Sequence, residues 1–311
     1  MCVFDPRNPE KKGEWGDYIK GVVSELLKRG IKTGGFNAAV SSTLPVGIGL
    51  SSSAALEVAT AFMLKTLYPY DMESFAIAKL CRAAENEFVG MNCGILDQFS
   101  SIFGRNNGAL FLDCRTEEHE VLPLSSGGIK VVICNSMKTH KLISSQYNVR
   151  REECFNAAQF FGRQDKDVVM LRDVTVEMFE QVASGLSDNE RKRARHIIYE
   201  NERVLKGRQA LHEGDLQTFG SLMNESHASS KNWFDNSTPE LDILQETAVS
   251  VPGVIGAKLS GGGFGGCIVA LAEETAVEPL KQILSERYKR ETGIIPDIYC
   301  AEVSDGARVI A

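Results

Sequence analysis

The stretch Pro45-Val-Gly-Ile-Gly-Leu-Ser-Ser-Ser-Ala-Ala55 decides the fold that the sequence predicts. It places two glycines and three serines where a loop enters a helix, because helix formers with apolar periodicity run from Ser51 to Leu67. Glycine lets the backbone approach a ligand closely, and the first N–H groups of a helix lack an intrachain acceptor and attract negative charge. The stretch therefore favours a phosphate-binding loop, although its spacing matches neither G-x-x-x-x-G-K-S/T nor G-x-G-x-x-G. An ordinary serine-capped helix after a turn is the alternative.

Size and composition indicate a globular protein of about two domains. The chain has 311 residues, of which 43% are hydrophobic and 24% are charged, and this balance argues against disorder and against a membrane bundle. The net charge is −7, so the surface should repel phosphate polymers and anionic lipid. We therefore expect no nucleic-acid partner and no membrane partner.

The cysteines and the first residues favour a cytoplasmic protein. The eight cysteines are scattered without any C-x-x-C pair, which predicts neither a zinc site nor a disulfide framework. The start of the chain contains no apolar signal segment, and no run of 18 apolar residues occurs. The N-x-S/T triplets at Asn224 and Asn236 are interpreted as accidental.

Apolar patterns along the chain predict an α+β fold, with helices covering an antiparallel sheet in each half. Helices are expected, in chain order, at residues 15–27, 51–67, 72–88, 145–161, 188–213, 216–227, 239–249 and 276–291. Strands are expected at 35–42, 109–113, 129–134, 256–260, 267–271 and 298–303. Asp71 should cap the third helix. We place the domain boundary near residue 138, which gives domains 1–138 and 139–311.

Two acidic residues that follow the glycine loop, Glu85 and Asp97, are candidates for metal binding and catalysis. Asp97 lies among apolar residues in Asn92-Cys-Gly-Ile-Leu-Asp-Gln98, shortly after the acidic helix that carries Glu85. Near a phosphate site, one carboxylate could hold Mg²⁺ while the other orients a hydroxyl nucleophile. The residues alone leave two other interpretations open, with Asp97 as a helix cap and Glu85 on a solvated helix face.

Two further stretches are unusual in composition. Gly261-Gly-Gly-Phe-Gly-Gly266 lies between two predicted strands, where so much backbone freedom weakens a fold unless a ligand or another backbone segment must approach closely. The basic run Arg191 to Arg195 is interpreted as a solvated helix face, since glutamates surround it.

Taken in order, these segments resemble the GHMP small-molecule kinases, and within them the galactokinases. Gly47-Ile-Gly-Leu-Ser-Ser-Ser-Ala54 is similar to the ATP-binding motif of the family, and Gly261 to Cys267 is similar to its C-terminal glycine motif. Three other stretches carry the resemblance to galactokinases: Glu85 to Gln98, Ser144 to Cys154, and His227 to Asp242.

The resemblance implies two α+β domains with the active site in the cleft between them, ATP and Mg²⁺ as cofactors, and transfer of phosphate to the C1 hydroxyl of D-galactose. It implies a catalytic role for Asp97, sugar contacts from Gly94, Asp97 and Tyr147, and Mg²⁺ ligands in Ser53 and Glu85. The residues implied to bind the nucleotide phosphates are Gly47, Ile48, Gly49, Leu50, Ser51, Ser52 and Ser53. Phosphoryl transfer needs mainly positioning and charge neutralisation, which such a set can supply.

One part of the family pattern is missing. Galactokinases begin with a strand that carries a G-R-V-N-x-x-G-E-H-x-D-Y-like signature, and Trp15-Gly-Asp-Tyr18 resembles a later W-x-x-Y-x-x-G stretch instead. We therefore expect either an N-terminally truncated product or a degenerate member of the family. The alternatives are a related kinase for N-acetylgalactosamine or arabinose, and a non-catalytic sensor of sugar and ATP on the same fold. The sequence predicts no oligomeric state.

Overall fold

The computed structural model describes residues 1–47, 49–91, 93–124, 128–139 and 143–310, and for residues 139 and 143–145 it describes the backbone only. The chain divides into two compact units, one formed by Met1–Pro123 with Val303–Ala311 and the other by Leu124–Glu302. The predicted boundary near residue 138 falls inside a strand of the second unit.

The first unit is mainly helical. Its helices are α1 (Gly16–Lys28), α2 (Ser52–Leu67), α3 (Ser74–Ala83), a π-helix (Ala84–Val89) that continues α3, and α4 (Leu96–Phe103). Strands β1 (Gly108–Leu112) and β2 (His119–Pro123) pair antiparallel with each other. The sequence missed β2.

Helical spacing of apolar residues creates the core of this unit. On α1, Val22, Val23 and Leu26 are fully buried, because positions three and four apart share one face of a helix. They pack in one cluster with residues of α2, α3 and α4, among them Val58, Leu64, Leu80, Cys81 and Phe99. Burial of each such side chain stabilises the fold by roughly 1.5–3 kcal/mol.

Two local predictions for this unit are wrong. Residues 35–42 form no strand, and most of their side chains are exposed. Alternating residues become a strand only beside a partner that takes their N–H and C=O groups, and β1 and β2 pair with each other. Asp71 does not cap a helix either, because α3 begins at Ser74 with Glu73 at the N-cap, and no side chain caps it there.

The second unit combines a four-stranded antiparallel sheet with helices. The strands are β3 (Ile129–Thr139), β4 (Val254–Leu259), β5 (Gly265–Glu273) and β6 (Asp297–Ala301), in the order β4-β5-β3-β6. The helices are α5 (Ile143–Gly162), α6 (Val176–Val182), α7 (Asp188–Glu213), α8 (Leu216–Ser229), a π-helix (Ser230–Phe234), α9 (Pro239–Val249) and α10 (Val277–Thr292).

Helices α9 and α10 share one hydrophobic core with the sheet. Leu241 and Leu244 of α9 and Leu280 and Leu284 of α10 are fully buried in a cluster that also contains Ile268 of β5. Helix α8 approaches β4 so closely that a Cβ at either Gly220 or Gly256 would collide with backbone of the opposite element. The sheet therefore fixes the position of α8 through backbone contact.

The structure allows the predicted fold class, helix bounds and exposed residues to be checked. The α+β class is confirmed, and α7 and α9 have the predicted bounds. The basic run is exposed at Arg191 and Lys192, but Arg193 is only 3% exposed, so the solvated-face interpretation is wrong for that residue. No helix in the described ranges is long and apolar enough to span a membrane. None of the eight cysteines, all of which lie in the described ranges, forms a disulfide.

Candidate functional site

The glycine loop of the first unit has the backbone of an anion-binding turn. The φ angles are +79° at Gly47, +81° at Gly49 and +54° at Ser51, while Leu50 between the last two is not in the positive-φ region. Alternating signs of this kind turn successive N–H groups towards one side. A Cβ at Gly47 or Gly49 would meet no atom within 4 Å, so the loop is open to a ligand. Ile48, which the sequence also assigns to nucleotide binding, lies outside the described residues.

Helix α2 begins directly behind this loop without a side-chain cap. Ser51 is the N-cap residue in the left-handed conformation, and its side chain accepts no capping hydrogen bond. The alternative of an ordinary serine-capped helix is therefore wrong. The first N–H groups of α2, at Ser52 and the residues after it, lack intrahelical acceptors, and the helix dipole favours an anion there.

Ser53 and Glu85 are brought together where α2 faces the first π-helix. The Ser53 hydroxyl donates a hydrogen bond of 2.9 Å to Oε1 of Glu85. Glu85 is only 6% exposed, so its interpretation as a residue on a solvated helix face is wrong. The π-helix ends at Gly90, whose φ of +85° suits glycine. Inserted π turns of this type are frequent at functional sites.

The sequence missed two buried residues beside Glu85. Gln98 is fully buried, and its side-chain amide donates to Oε2 of Glu85 at 2.8 Å and to Oε2 of Glu57 at 3.3 Å. Glu57 is itself 0% exposed. Burial, followed by the charge of Glu85, raises the pKa of Glu57 to about 9. Glu57 is therefore a neutral carboxylic acid at pH 7, and Gln98 connects it to the charged Glu85.

Burial and the charge of Glu85 also raise the pKa values of two other neighbours, Cys93 and Tyr18. Burial first, and then the charge of Glu85, raise the pKa of Cys93 to about 12. Cys93 is therefore a thiol, which donates to Oε2 of Glu85 at 3.3 Å. The pKa of Tyr18 is raised by burial and by the charges of Glu85 and Glu57. The Glu85 side chain thus lies in a buried environment, where it accepts hydrogen bonds from Ser53, Gln98 and Cys93.

Asp97 is placed differently from Glu85. It is the second residue of α4 and is exposed, and within the described part of the chain no hydrogen bond to its carboxylate is found. The N-cap position belongs to Ile95, so the helix-cap interpretation of Asp97 is wrong. Its chain neighbour Gln98 points inward to Glu85, so one turn of α4 carries an exposed acid and the buried amide that holds Glu85. Gly94, just before this turn, is exposed, and a Cβ there would meet nothing within 4 Å.

The remaining predicted residues lie in the second unit. Tyr147 is on α5 and is 47% exposed. In the glycine run, a Cβ at Gly263 would collide with the carbonyl oxygen of Asn236, so another backbone segment does approach there. Gly261 and Gly262 are exposed, and a Cβ at either would meet no atom within 4 Å. One side of the run is therefore packed and the other is open.

Among the described residues, no group of three or more His, Cys, Asp or Glu side chains could hold a metal ion. A metal bound by Glu85 would therefore need oxygen ligands of other kinds, such as the Ser53 hydroxyl and the phosphates of a nucleotide.

Comparison with known families gives the class of the protein. Residues 17–105 match the model of the GHMP kinases N terminal domain, and residues 208–290 match the model of the GHMP kinases C terminal region. Together these matches cover more than half of the chain. The chain therefore belongs to the GHMP kinases, as its motifs predicted.

Comparison with individual relatives shows to which group of GHMP kinases the chain belongs. The galactokinase of Thermotoga petrophila is 42% identical over 301 residues, which cover 97% of this chain and 83% of the relative. The galactokinase of Clostridium acetobutylicum is 40% identical and is covered to 77% of its length. The crystal structure of Lactococcus lactis galactokinase complexed with galactose superposes with a TM-score of 0.88 at 32% identity, covering 98% of this chain and 79% of that one. Within the GHMP kinases, the chain is a member of the galactokinases.

A more distant structure shows how far the fold extends. A mevalonate kinase superposes with a TM-score of 0.59 at 20% identity, over 94% of this chain. At that identity the match concerns the fold alone.

Proposed function

We propose that the protein transfers the γ-phosphoryl group of ATP to the C1 hydroxyl of D-galactose, giving galactose 1-phosphate and ADP. Galactokinases at 40–42% identity over nearly the whole chain support this function. The structural observation that carries it is the hydrogen bond between Ser53 and Glu85, because it brings a hydroxyl and a charged carboxylate together behind the glycine loop.

The glycine loop is the proposed nucleotide site, formed by Gly47 to Ser53. Positive φ angles at Gly49 and Ser51 aim N–H groups to one side, and α2 starts behind them without a capping side chain. Both features favour a polyanion such as the phosphates of ATP.

The side chains of Ser53 and Glu85 fit the demands of Mg²⁺. An octahedral ion with ligands at about 2.0–2.1 Å separates neighbouring ligand oxygens by about 2.9 Å. The Ser53 and Glu85 oxygens are 2.9 Å apart. Mg²⁺ is commonly held by one or two protein side chains together with substrate phosphates, and when bound it neutralises charge on those phosphates. Gln98 and Cys93 donate to Oε2 of Glu85, which leaves Oε1 on the side of Ser53.

Asp97 is the proposed catalytic residue. Its carboxylate is exposed and without a partner in the described structure, so it is available to accept a proton from a substrate hydroxyl. As the C1 oxygen forms its bond to the γ-phosphorus, the bond from that phosphorus to the bridging oxygen breaks, ADP leaves with the electron pair, and Asp97 takes the hydroxyl proton. The open space at Gly94 is proposed as a sugar contact, as is the exposed Tyr147.

The cellular location is proposed from the cysteines. None of the eight forms a disulfide in the described part of the chain, which is typical of proteins of a reducing compartment, and we propose the cytoplasm.

A sugar panel tests the proposed function. ADP release is measured with MgATP and equal concentrations of D-galactose, N-acetylgalactosamine or arabinose, with a sugar-free reaction as control. We expect D-galactose to give the highest kcat/KM. A preference for either of the other sugars would replace galactose as the substrate, and ADP release that no sugar stimulates would contradict the kinase function itself.

A further inference from the structure

The second π-helix (Ser230–Phe234) ends in a turn that two arginines hold. Asp235 follows it with a φ of +56°, a left-handed conformation that costs a non-glycine residue free energy. Oδ2 of Asp235 accepts from Arg150 at 2.7 Å and lies 3.5 Å from Nη2 of Arg193. Glu153 in turn lies 2.8 Å from Arg193 and 3.4 Å from Arg150. The turn at Asp235 is thus fixed by an ion-pair network from α5 and α7.

The same arginines satisfy the last carbonyl groups of the π-helix. Arg193 donates to the carbonyl of Trp233 at 2.6 Å, and Arg150 donates to those of Phe234 at 2.9 Å and Asp235 at 3.2 Å. Carbonyl groups at a helix end have no intrahelical partner, so these bonds stop the chain from leaving in another direction. These bonds therefore fix the orientation of the next residue, Asn236.

Asn236 binds the glycine run directly. Its side-chain amide donates to the carbonyl of Gly262 at 3.1 Å, and its own carbonyl accepts from the N–H of Phe264 at 2.6 Å. It is 95% buried, with 5% of its surface exposed, and its Oδ1 has no hydrogen-bond partner in the described structure.

The opposite face of the glycine run is free. Gly261 and Gly263 have φ angles of +70° and +77°, while Gly262 between them is not in the positive-φ region. This alternation turns backbone N–H groups to one side and suits an anion. Gly261 and Gly262 are also the exposed members of the run.

We propose that Asn236 is a positioning residue for the kinase reaction: it holds Gly261, Gly262 and Gly263 in the shape that receives a phosphate group, and the pairs of Asp235 with Arg150 and Arg193 keep Asn236 in place. The inference rests on the proposed function for the identity of the phosphate compound, which is either the nucleotide or the sugar phosphate. The hydrogen bonds of Asn236 to Gly262 and Phe264, which we call the clamp, do not depend on the proposed function.

The clamp is tested by amide hydrogen exchange of the ligand-free protein. Asn236→Asp keeps the shape but removes the donor to Gly262, and it should speed exchange in residues 261–264 at least tenfold while exchange in β4 stays the same. The matched control is Asn224→Asp, because the Asn224 side chain also binds backbone, accepting from Ala257 at 2.9 Å, and the aspartate keeps that acceptor. Unchanged exchange at 261–264 in Asn236→Asp would overturn the proposal.

The phosphate contact is tested by calorimetric titration of the same proteins with MgATP and with galactose 1-phosphate. Asn236→Asp adds a negative charge beside the run, so its affinity for the phosphate compound that binds there should fall at least tenfold. A loss for MgATP alone assigns the nucleotide, and a loss for galactose 1-phosphate alone assigns the sugar phosphate. Faster exchange with both affinities unchanged would overturn the role in phosphate binding.

A second variant covers the case in which Asn236→Asp does not fold. Asp235→Asn removes one charge from the network, and the Asp235 side chain is 67% exposed, so the fold should tolerate it. It should loosen residues 261–264 and lower the same affinity a few-fold. If wild type bound neither ligand, the proposed function would fail, and the exchange result would still decide whether Asn236 holds the loop.

Discussion

The hydroxyl of Ser53 donates to the carboxylate of Glu85 at 2.9 Å, across 32 residues of sequence. The bond joins the first turn of α2 to the π-helix that continues α3, so the glycine loop and the buried carboxylate have a fixed relation before any ligand binds. A preorganised pair of this kind spares the protein the free energy of ordering it during binding.

Removal of the Ser53 oxygen should weaken the use of Mg²⁺. In Ser53→Ala, Glu85 keeps its bonds from Gln98 and Cys93, but the second of the two proposed ligand oxygens is lost. We expect the free Mg²⁺ concentration that half-saturates ATP binding to rise about tenfold, or ~1.4 kcal/mol. Ser100→Ala is the control, since Ser100 is exposed and donates to the carbonyl of Leu96 in its own helix. Identical Mg²⁺ titrations for Ser53→Ala and wild type would remove Ser53 from the metal site.

A side chain at Gly49 should block the nucleotide. Valine there must adopt a φ of +81° and places a branched group in the open loop. MgATP should raise the melting temperature of wild type but not of Gly49→Val. Gly30→Val carries similar strain, because Gly30 has a φ of +77° and a Cβ there would also meet nothing within 4 Å, but it lies outside the loop. Thermal stabilisation by MgATP should survive in Gly30→Val, and its survival in folded Gly49→Val would place the nucleotide elsewhere.

Asp97 should matter for turnover and not for stability. Because its carboxylate is exposed and unbonded in the described structure, Asp97→Asn should leave the melting temperature near that of wild type. Loss of the proposed general base should lower kcat by about two orders of magnitude. Asp71→Asn, which changes another exposed acid of the same unit, should keep full kcat. Equal kcat values for Asp97→Asn and wild type would exclude the proton-accepting role.

Glu57 should make stability depend on pH. Its pKa is about 9 in the folded protein, against an ordinary value of 4.5, so between these values the folded state holds a proton that the unfolded chain releases. The stabilising contribution is therefore complete below pH 4.5 and is lost as the pH rises towards 9, by at most about 1.4 kcal/mol per pH unit.

The comparison of wild type with Glu57→Gln isolates this effect, because glutamine does not titrate and still offers an oxygen to Gln98. Free energies of unfolding are measured in urea with a chelator from about pH 5 to about pH 8.5. The advantage of the glutamine variant over wild type should grow with pH. Parallel pH curves would mean that Glu57 has the same protonation in the folded and unfolded states.

Local signals predicted the long helices well, but not the short helices α4 and α6. For α7, Ser187 and Glu190 form a capping box and Gly214 ends the helix, so local residues mark both of its ends. For α9, Thr238 and Pro239 mark the start. Residues 35–42 show the limit, because alternation is a local pattern whereas a strand needs a distant partner. The sequence did not predict strand β2, because this strand depends on pairing with β1, which forms only in the tertiary structure.

The candidate site was only partly visible in the sequence. The glycine loop and Asp97 could be found from residue types and from the resemblance. Glu57 could also have been found, because it falls on the buried stripe of α2 with Ala54, Ala61 and Leu64 and is the one acid of that helix. Gln98 and Asn236 could not, since an amide between apolar or polar neighbours carries no local sign of the groups that it contacts after folding.

The most direct test of the proposed reaction is the position of the new phosphate ester. The protein is incubated with MgATP and galactose labelled with ¹³C at C1, and the carbon spectrum of the product is recorded. The proposed function predicts a C1 signal split by coupling to one phosphorus atom, formed in step with ADP. A sharp, unsplit C1 signal after ATP has been consumed would show that phosphate went to water or to another hydroxyl, and it would contradict phosphoryl transfer to C1.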